Sequence, residues 1–362
     1  MKTKSRNLKI MSLLLAAAVT QAATADIPRT KSGKPYLGGS YNVATLTPAQ
    51  RPEMFGDNKY LSKEEADKIA AEEQALIKAG DVELDPDRKA PPKGGDGNFA
   101  LGAGGVGGYN SFWIDRGDNA MTVDGKFRTS IVTEPANGRY PEMTMPAKMR
   151  LAKRYKDYGK ISKANDRAWW LEEGDDYPGP YDHPETNTTS DRCLQGFGST
   201  GGPPMMPTLY NNVKRIVQTP DHIMILIEMV HDSRIIRLNS KHLPSDQRKW
   251  LGDSIGWWEG QTLVVDTRNF REDTGLYGGD ENLHLVERFS QLDNGDLLYH
   301  FTVEDPTIWE TPWSGEYSWT RSDNSVYEYA CHEANYAMGN ILRGARILES
   351  EYVSEGDSPE DQ

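Results

Sequence analysis

The sequence predicts a mainly β protein: an antiparallel calycin-like barrel, or a two-sheet sandwich, with a few peripheral helices. Three observations carry that expectation. Short apolar and β-branched runs recur between residues 112 and 331, punctuated by Gly, Asn and Asp at turn positions. The run Ile223–Val230 is nearly all apolar and reads as a central buried strand. Leu283–Leu292 and Leu297–Glu304 flank Asp293-Asn294-Gly295-Asp296, which reads as a hairpin with an Asn-Gly turn.

Taken in order, the chain opens with Lys2, Lys4, Arg6 and Lys9, an apolar run Ile10–Val19, and the A-x-A site Ala23-Thr24-Ala25. This is the layout of a signal peptide over residues 1–25, cleaved after Ala25; the run is too short to span a bilayer. The expected location is the periplasm. Residues 26–110 form an irregular arm with one helix, opened by the capping box Ser62-Lys63-Glu64-Glu65, running to about Lys78 and stopped by Gly80. Gly102–Gly107 matches G-x-G-x-x-G, but no strand precedes it and Tyr109–Trp113 does not open a helix, so it reads as a glycine loop.

Residues 111–350 form the β-rich domain. Phe127–Thr133 suits a strand, and the basic stretch Ala147–Tyr158 suits a helix. Residues 171–202 read as a long loop whose acids (Asp175, Asp176, Asp182, Glu185) lack EF-hand spacing. Val213–Gln218, His231–Leu238 and Gln261–Thr267 read as strands. Tyr317–Thr320 and Val326–Cys331 read as a further pair, and Asn335–Glu349 as a closing helix. Residues 351–362 form an acidic tail.

Composition narrows the function classes. With 37% hydrophobic and 26% charged residues, the chain is neither a disordered tail nor a polytopic membrane protein. A net charge of −13 disfavours nucleic acid and anionic lipid as partners. Neither membrane insertion nor a cofactor is expected, and the oligomeric state is open. Cys193 and Cys331 can form one disulfide in an oxidising compartment, or stand as two buried thiols. No H-x-H, H-x-x-x-H or H-E-x-x-H spacing points to a metal, and no G-x-S-x-G points to a serine triad.

A two-residue Asn294-Gly295 turn sets His284 opposite Asp305 and puts Arg288, Tyr299 and Phe301 on the same face. An imidazole oriented by a carboxylate is a general base, and a nearby guanidinium can hold an oxyanion. A longer turn would swap the faces and turn Glu287, His300 and Glu304 inward. Glu228, inside the apolar run, must be paired or have a raised pKa, with Arg234 or Arg192 as partner. The candidate catalytic residues are therefore His284, Asp305, Arg288 and Glu228; the candidate substrate contacts are Tyr299, Phe301, Trp258 and Arg192.

The block Gly252-Asp253-Ser254-Ile255-Gly256-Trp257-Trp258-Glu259-Gly260, followed by Thr262-Leu263-Val264-Val265-Asp266-Thr267, resembles a broad family of exported, largely uncharacterised bacterial proteins. The resemblance extends over about residues 190–345 through Leu283-His284, Glu287-Arg288-Phe289, Glu304-Asp305-Pro306, Pro312-Trp313 and Tyr329-Ala330-Cys331-His332-Glu333. Members of that family often carry His where this chain has Asp253, and Arg near Trp257. The resemblance implies export and a shared fold, not a reaction. The resulting expectation is a periplasmic enzyme of lyase, isomerase or hydrolase type. It would act on a small aromatic or sugar-like compound in a barrel pocket. The alternatives are a lipocalin-like binder of an apolar molecule and an envelope interaction protein.

Overall fold

The computed structural model describes residues 28–80, 87, 114–153, 168–172, 179–196, 202–271, 279 and 281–356. The expected signal peptide, the glycine loop and the end of the acidic tail lie outside these residues, as does the second half of the expected basic helix, whose first half is helical over 145–153.

Nine strands close into a barrel. In spatial order they are β1 (Gly39–Asn42), β6 (Val213–Gln218), β7 (His222–Ile227), β8 (Ser233–Leu238), β9 (Asp253–Glu259), β10 (Thr262–Arg268), β11 (His284–Gln291), β12 (Leu297–Glu304) and β13 (Trp313–Ser322). Closure comes from β13 pairing back onto β1, so the barrel, not the sandwich, is the architecture. A short strand, β5 (Val132–Glu134), adds to β13, and β2 (Tyr60–Leu61), β3 (Thr122–Val123) and β4 (Lys126–Arg128) form a small separate sheet. The arm of residues 26–110 does not stand apart: it contributes β1 to the barrel.

The barrel is mixed, not wholly antiparallel, because β8 and β9 run parallel. A parallel pair cannot be joined by a tight turn, so residues 239–252 cross the outer wall between them. Alternation along β11, β12 and β13 sends Leu285, Glu287 and Phe289, Leu297–Val303 at odd positions, and Trp313, Tyr317 and Trp319 inward. Their rings pack edge-on or tilted, with Tyr299 5.0 Å from Phe289, 5.4 Å from Phe301 and 5.7 Å from Tyr317 between centroids. Gly315 makes room on this wall: a Cβ there would lie 2.6 Å from the Phe301 ring and 3.0 Å from the Ile131 carbonyl.

The hairpin register differs by one residue from the expected one. Leu292 N–H donates to the Asp296 carbonyl (2.8 Å) and Gly295 N–H to the Leu292 carbonyl (3.0 Å), so the loop has three residues. A type I′ turn needs positive φ at both central positions; only Gly295 has it (φ 88°), and Asn294 does not. His284 therefore faces Glu304, and Asp305 lies one step beyond.

The N-terminal helix runs Lys63–Gly80 and keeps its capping box, with Ser62 N–H donating to Glu65 (2.7 Å) and Glu65 N–H to Ser62 Oγ (3.2 Å). The closing helix runs Tyr336–Gly356. No helix among the described residues is long and apolar enough to cross a membrane. Residues 323–330 do not return as a strand; they form a strap without regular secondary structure leading to Cys331. Cys331 is disulfide-bonded to Cys193, with Cα atoms 5.8 Å apart across 138 positions. Replacing both cysteines by Ser should lower unfolding free energy by about 2–5 kcal/mol in urea titration. Unchanged stability would show that the bond does not constrain the fold.

Candidate functional site

The barrel interior is occupied by protein. Arg234 on β8 and Glu287 on β11 form an ion pair, with side-chain exposures of 2% and 0%. Arg234 also donates to Ser254 Oγ (3.0 Å) and Thr267 Oγ1 (2.7 Å), and the Tyr299 hydroxyl donates to Glu287 (2.7 Å). Burial, foremost, and the Glu287 charge raise the Tyr299 pKa far above its usual value, so the phenol stays a donor. The buried stretch 202–206 enters as well: Met205 N–H donates to the Tyr299 oxygen (3.1 Å), and the Tyr317 hydroxyl donates to the Met205 carbonyl. Tyr299 and Phe301, expected as substrate contacts, are fully buried core. Trp258 packs half-buried against the same core.

The expected triad is not assembled. His284 and Arg288 lie on the outer wall. Arg288 pairs with Glu259, itself exposed. Asp305 is buried and accepts from Thr307 N–H (3.0 Å) and Thr307 Oγ1 (2.6 Å), closing the turn after β12. Arg192 does not reach Glu228; its guanidinium lies 5.9 Å from the Trp250 ring centroid. Arg234, the other expected partner of Glu228, is held by Glu287.

His284 instead belongs to a chain of alternating imidazoles and carboxylates. Its Nδ1 meets Glu304 (2.9 Å) and its Nε2 meets Asp266 (3.0 Å). Asp266 also meets His242 Nε2 (2.7 Å), whose Nδ1 meets Asp253 (3.1 Å), and Asp253 accepts from Arg237 (2.8 Å). His242 is delivered by the 239–252 crossover, so the chain pins that crossover to the wall. The bond to Asp266, against the cost of burial and with help from Glu304, raises the His284 pKa. Burial pushes Asp266 up most strongly, but hydrogen bonds from His284, Arg268 and His242 together hold it well below the usual carboxylate range. No set of three or more His, Cys, Asp or Glu side chains among the described residues is arranged to hold a metal ion.

A large opening lies outside the barrel. It is a groove of about 1030 Å³ between the β6–β7 end of the wall, the strap and the start of the closing helix. Glu228 (3% exposed) sits at its floor, accepting from Val213 N–H (3.3 Å) and Tyr327 N–H (3.0 Å). Its position follows from where β7 stops. The strand ends at Ile227 because Glu228 itself leaves the extended region (φ −62°, ψ −42°), and Val230 and His231 follow with left-handed φ values of 61° and 47°. A β-branched residue in that region is strained, as held conformations at functional turns often are. His231 Nδ1 bonds the Tyr329 carbonyl (2.8 Å), so the strap is fastened at Tyr327, at Tyr329 and by the disulfide, whose two cysteines border the groove. Beneath the floor, Lys214 is fully buried. Burial pushes its amine down to about 7 despite the nearby Glu228 and Asp232 carboxylates.

No protein-family model matches the chain, and comparison with curated proteins finds no significant similarity, so the functional reading rests on these residues.

Sequence reasoning found Glu228 and the cysteines but missed His242, Asp266 and the groove walls Asp115, Tyr210 and Tyr327. His242 lies in a segment without periodicity, and these three walls come from three distant stretches; no spacing signal connects them. One titration follows. Because the folded His284 pKa is raised above 6.5, its stabilisation is complete below that pH and is lost as pH rises through the folded value. His284→Gln should cost about 1–3 kcal/mol at pH 5.5 and less at pH 8.5 in urea unfolding. A pH-independent difference would contradict the assignment.

Proposed function

We propose that this chain is an exported protein that binds a small polar molecule, uncharged or positively charged, in the groove over Glu228. One observation carries the reading: the described groove lining holds Asp115, Asp191, Glu228 and Glu328 but no Lys or Arg. Anionic ligands are repelled there, the more so on a chain of net charge −13. Tyr210, Tyr327 and Tyr329 add flat faces for a compact ligand, and the volume suits a drug-sized molecule or larger. Export is supported by the signal-like first 25 residues and by the Cys193–Cys331 bond.

A second reading, acid–base turnover of the bound molecule, is favoured by Lys214. An amine near 7 beside the Glu228 carboxylate can exchange a proton near neutral pH. Under this reading Glu228→Gln abolishes turnover and leaves binding in place.

The test of the binding reading is a thermal-shift screen of neutral polyols, amines and carboxylates. A true ligand at a hundred times its Kd stabilises by about 2.7 kcal/mol. Ala337, exposed on the closing helix and part of the groove lining, provides the control. Ala337→Trp should remove the ligand-induced shift and leave the unliganded Tm unchanged. Ligand shifts that survive this substitution, or that come only from carboxylates, would overturn the reading.

A further inference from the structure

We infer that the Cys193–Cys331 bond is a redox clasp: a thiol opens it at Cys331, Cys193 is the sulfur that leaves, and the strap over Glu228 is released while the barrel stays closed. The inference does not require that the groove hold a ligand.

The argument begins with what the bond holds. Residues 323–330 have no regular secondary structure, so no ladder of backbone hydrogen bonds keeps them on the wall. They are fastened by the Tyr327 N–H on Glu228, by the Tyr329 carbonyl on His231, and by half-buried Tyr329 against the barrel core. Tyr327 itself is 72% exposed. The closing helix beyond packs elsewhere: Ala345 and Leu348 cluster with Ala168, Trp170 and Tyr181, apart from the barrel core. The barrel closes through β13 on β1, with neither the strap nor this helix in the ladder. At its other end the disulfide is anchored by neighbouring Gln195, which is buried and donates to the Trp250 carbonyl (3.1 Å) of the crossover. Opening the bond therefore frees the far end of the strap and leaves the ladders of the barrel in place.

The two sulfurs are not equivalent. Cys331 is a partly exposed residue at the groove's edge, whereas Cys193 is 5% exposed. An incoming thiolate therefore meets Cys331 first. Among the described residues, Asn335 Nδ2 is the one hydrogen-bond donor within reach of either sulfur, and it lies 3.5 Å from Cys193 Sγ. A donor there stabilises the charge on a departing thiolate, and a better leaving sulfur leaves faster. Cys193 also holds a left-handed φ of 56°, which a residue with a Cβ adopts at a cost, so opening the bond lets its loop relax.

The exchange is a two-electron reduction by a dithiol. One thiolate of the reductant attacks Cys331 Sγ, the S–S bond breaks, and its electron pair leaves on Cys193 Sγ, which takes a proton from water. The reductant's second thiol then gives up its proton and attacks the reductant's own sulfur in the mixed disulfide. That step releases Cys331 as a thiol and leaves the reductant oxidised to its disulfide.

The experiment has two arms, both on the full folded chain. In the first, 2-mercaptoethanol, which has no second thiol, is added; the mixture is quenched in acid, free thiols are blocked with N-ethylmaleimide, and the modified peptides are read by mass spectrometry. We expect the mixed disulfide on Cys331 and the blocked thiol on Cys193, in at least about tenfold excess over the reverse. Asn335→Asp removes the donor and keeps an oxygen for the Met338 N–H that Asn335 caps (3.2 Å); it should slow the reaction and erase that preference. In the second arm, hydrogen exchange is followed with and without dithiothreitol. Reduction should speed exchange across 323–330 at least about tenfold and leave β11 to β13 protected. An adduct shared equally or found mainly on Cys193, or a preference that survives Asn335→Asp, overturns the assigned direction. A bond that neither thiol opens in the folded chain, or a strap that exchanges no faster once reduced, overturns the clasp. Barrel strands that lose protection together with the strap also overturn it, since the bond would then staple the whole fold.

Discussion

The buried pair of Arg234 and Glu287 is the constraint on which the rest of the molecule depends. Two charges removed from water cost several kcal/mol each, and their attraction offsets that only when every remaining donor and acceptor is satisfied. Here the partners are Ser254, Thr267 and Tyr299, so five side chains on five successive strands, β8 to β12, must meet at one point. That requirement fixes the register across the parallel β8–β9 seam, where pairing is otherwise slightly weaker than in antiparallel ladders. The same tyrosine binds the chain stretch that fills the interior. Among the described residues, Met205 and the buried aromatic side chains of β11 to β13 pack the centre of the barrel.

The polar clusters besides this pair lie on the outside. The parallel seam forces a long crossover, and the crossover brings His242 onto Asp253 and Asp266. The strap after β13 does the same at the other end. It crosses the β6–β7 end of the wall, is held by Glu228 and His231, and is locked by the disulfide. The groove is the space left beneath these fastenings. Its floor residue ties strap to barrel: the Glu228 carboxylate accepts from both the Val213 and the Tyr327 N–H.

Much of the fold was legible. Apolar runs, the capping box and Asn/Gly turns gave the barrel class, the N-terminal helix and most of the strands, because these depend on residues close in sequence. The one-residue slip at Asp293–Gly295 was not legible, because Asn-Gly fits either a two-residue turn or the end of a three-residue loop, and only the φ of Asn294 separates them. That slip decides which side of the wall receives His284, so the expected triad fell with it. Glu228 was recognisable as a carboxylate out of place in an apolar run. Its neighbours were not, since Asp115, Asp191 and Tyr327 are joined only by the closed fold. Glu287 shows the opposite case: it was weighed as an inward residue of a longer turn, and the longer turn is what occurs, although His300 and Glu304 stay on the outer wall.

The most direct measurement is a double-mutant cycle on the barrel interior, with ligand binding followed alongside stability. Arg234→Met and Glu287→Leu should each cost about 3–5 kcal/mol alone, since each leaves a buried charge without its partner, while the double variant should regain most of that loss. Any molecule that the parent chain is found to bind in the proposed groove should be bound equally by the double variant. A double variant that folds stably but no longer binds would place the ligand inside the barrel and contradict the account.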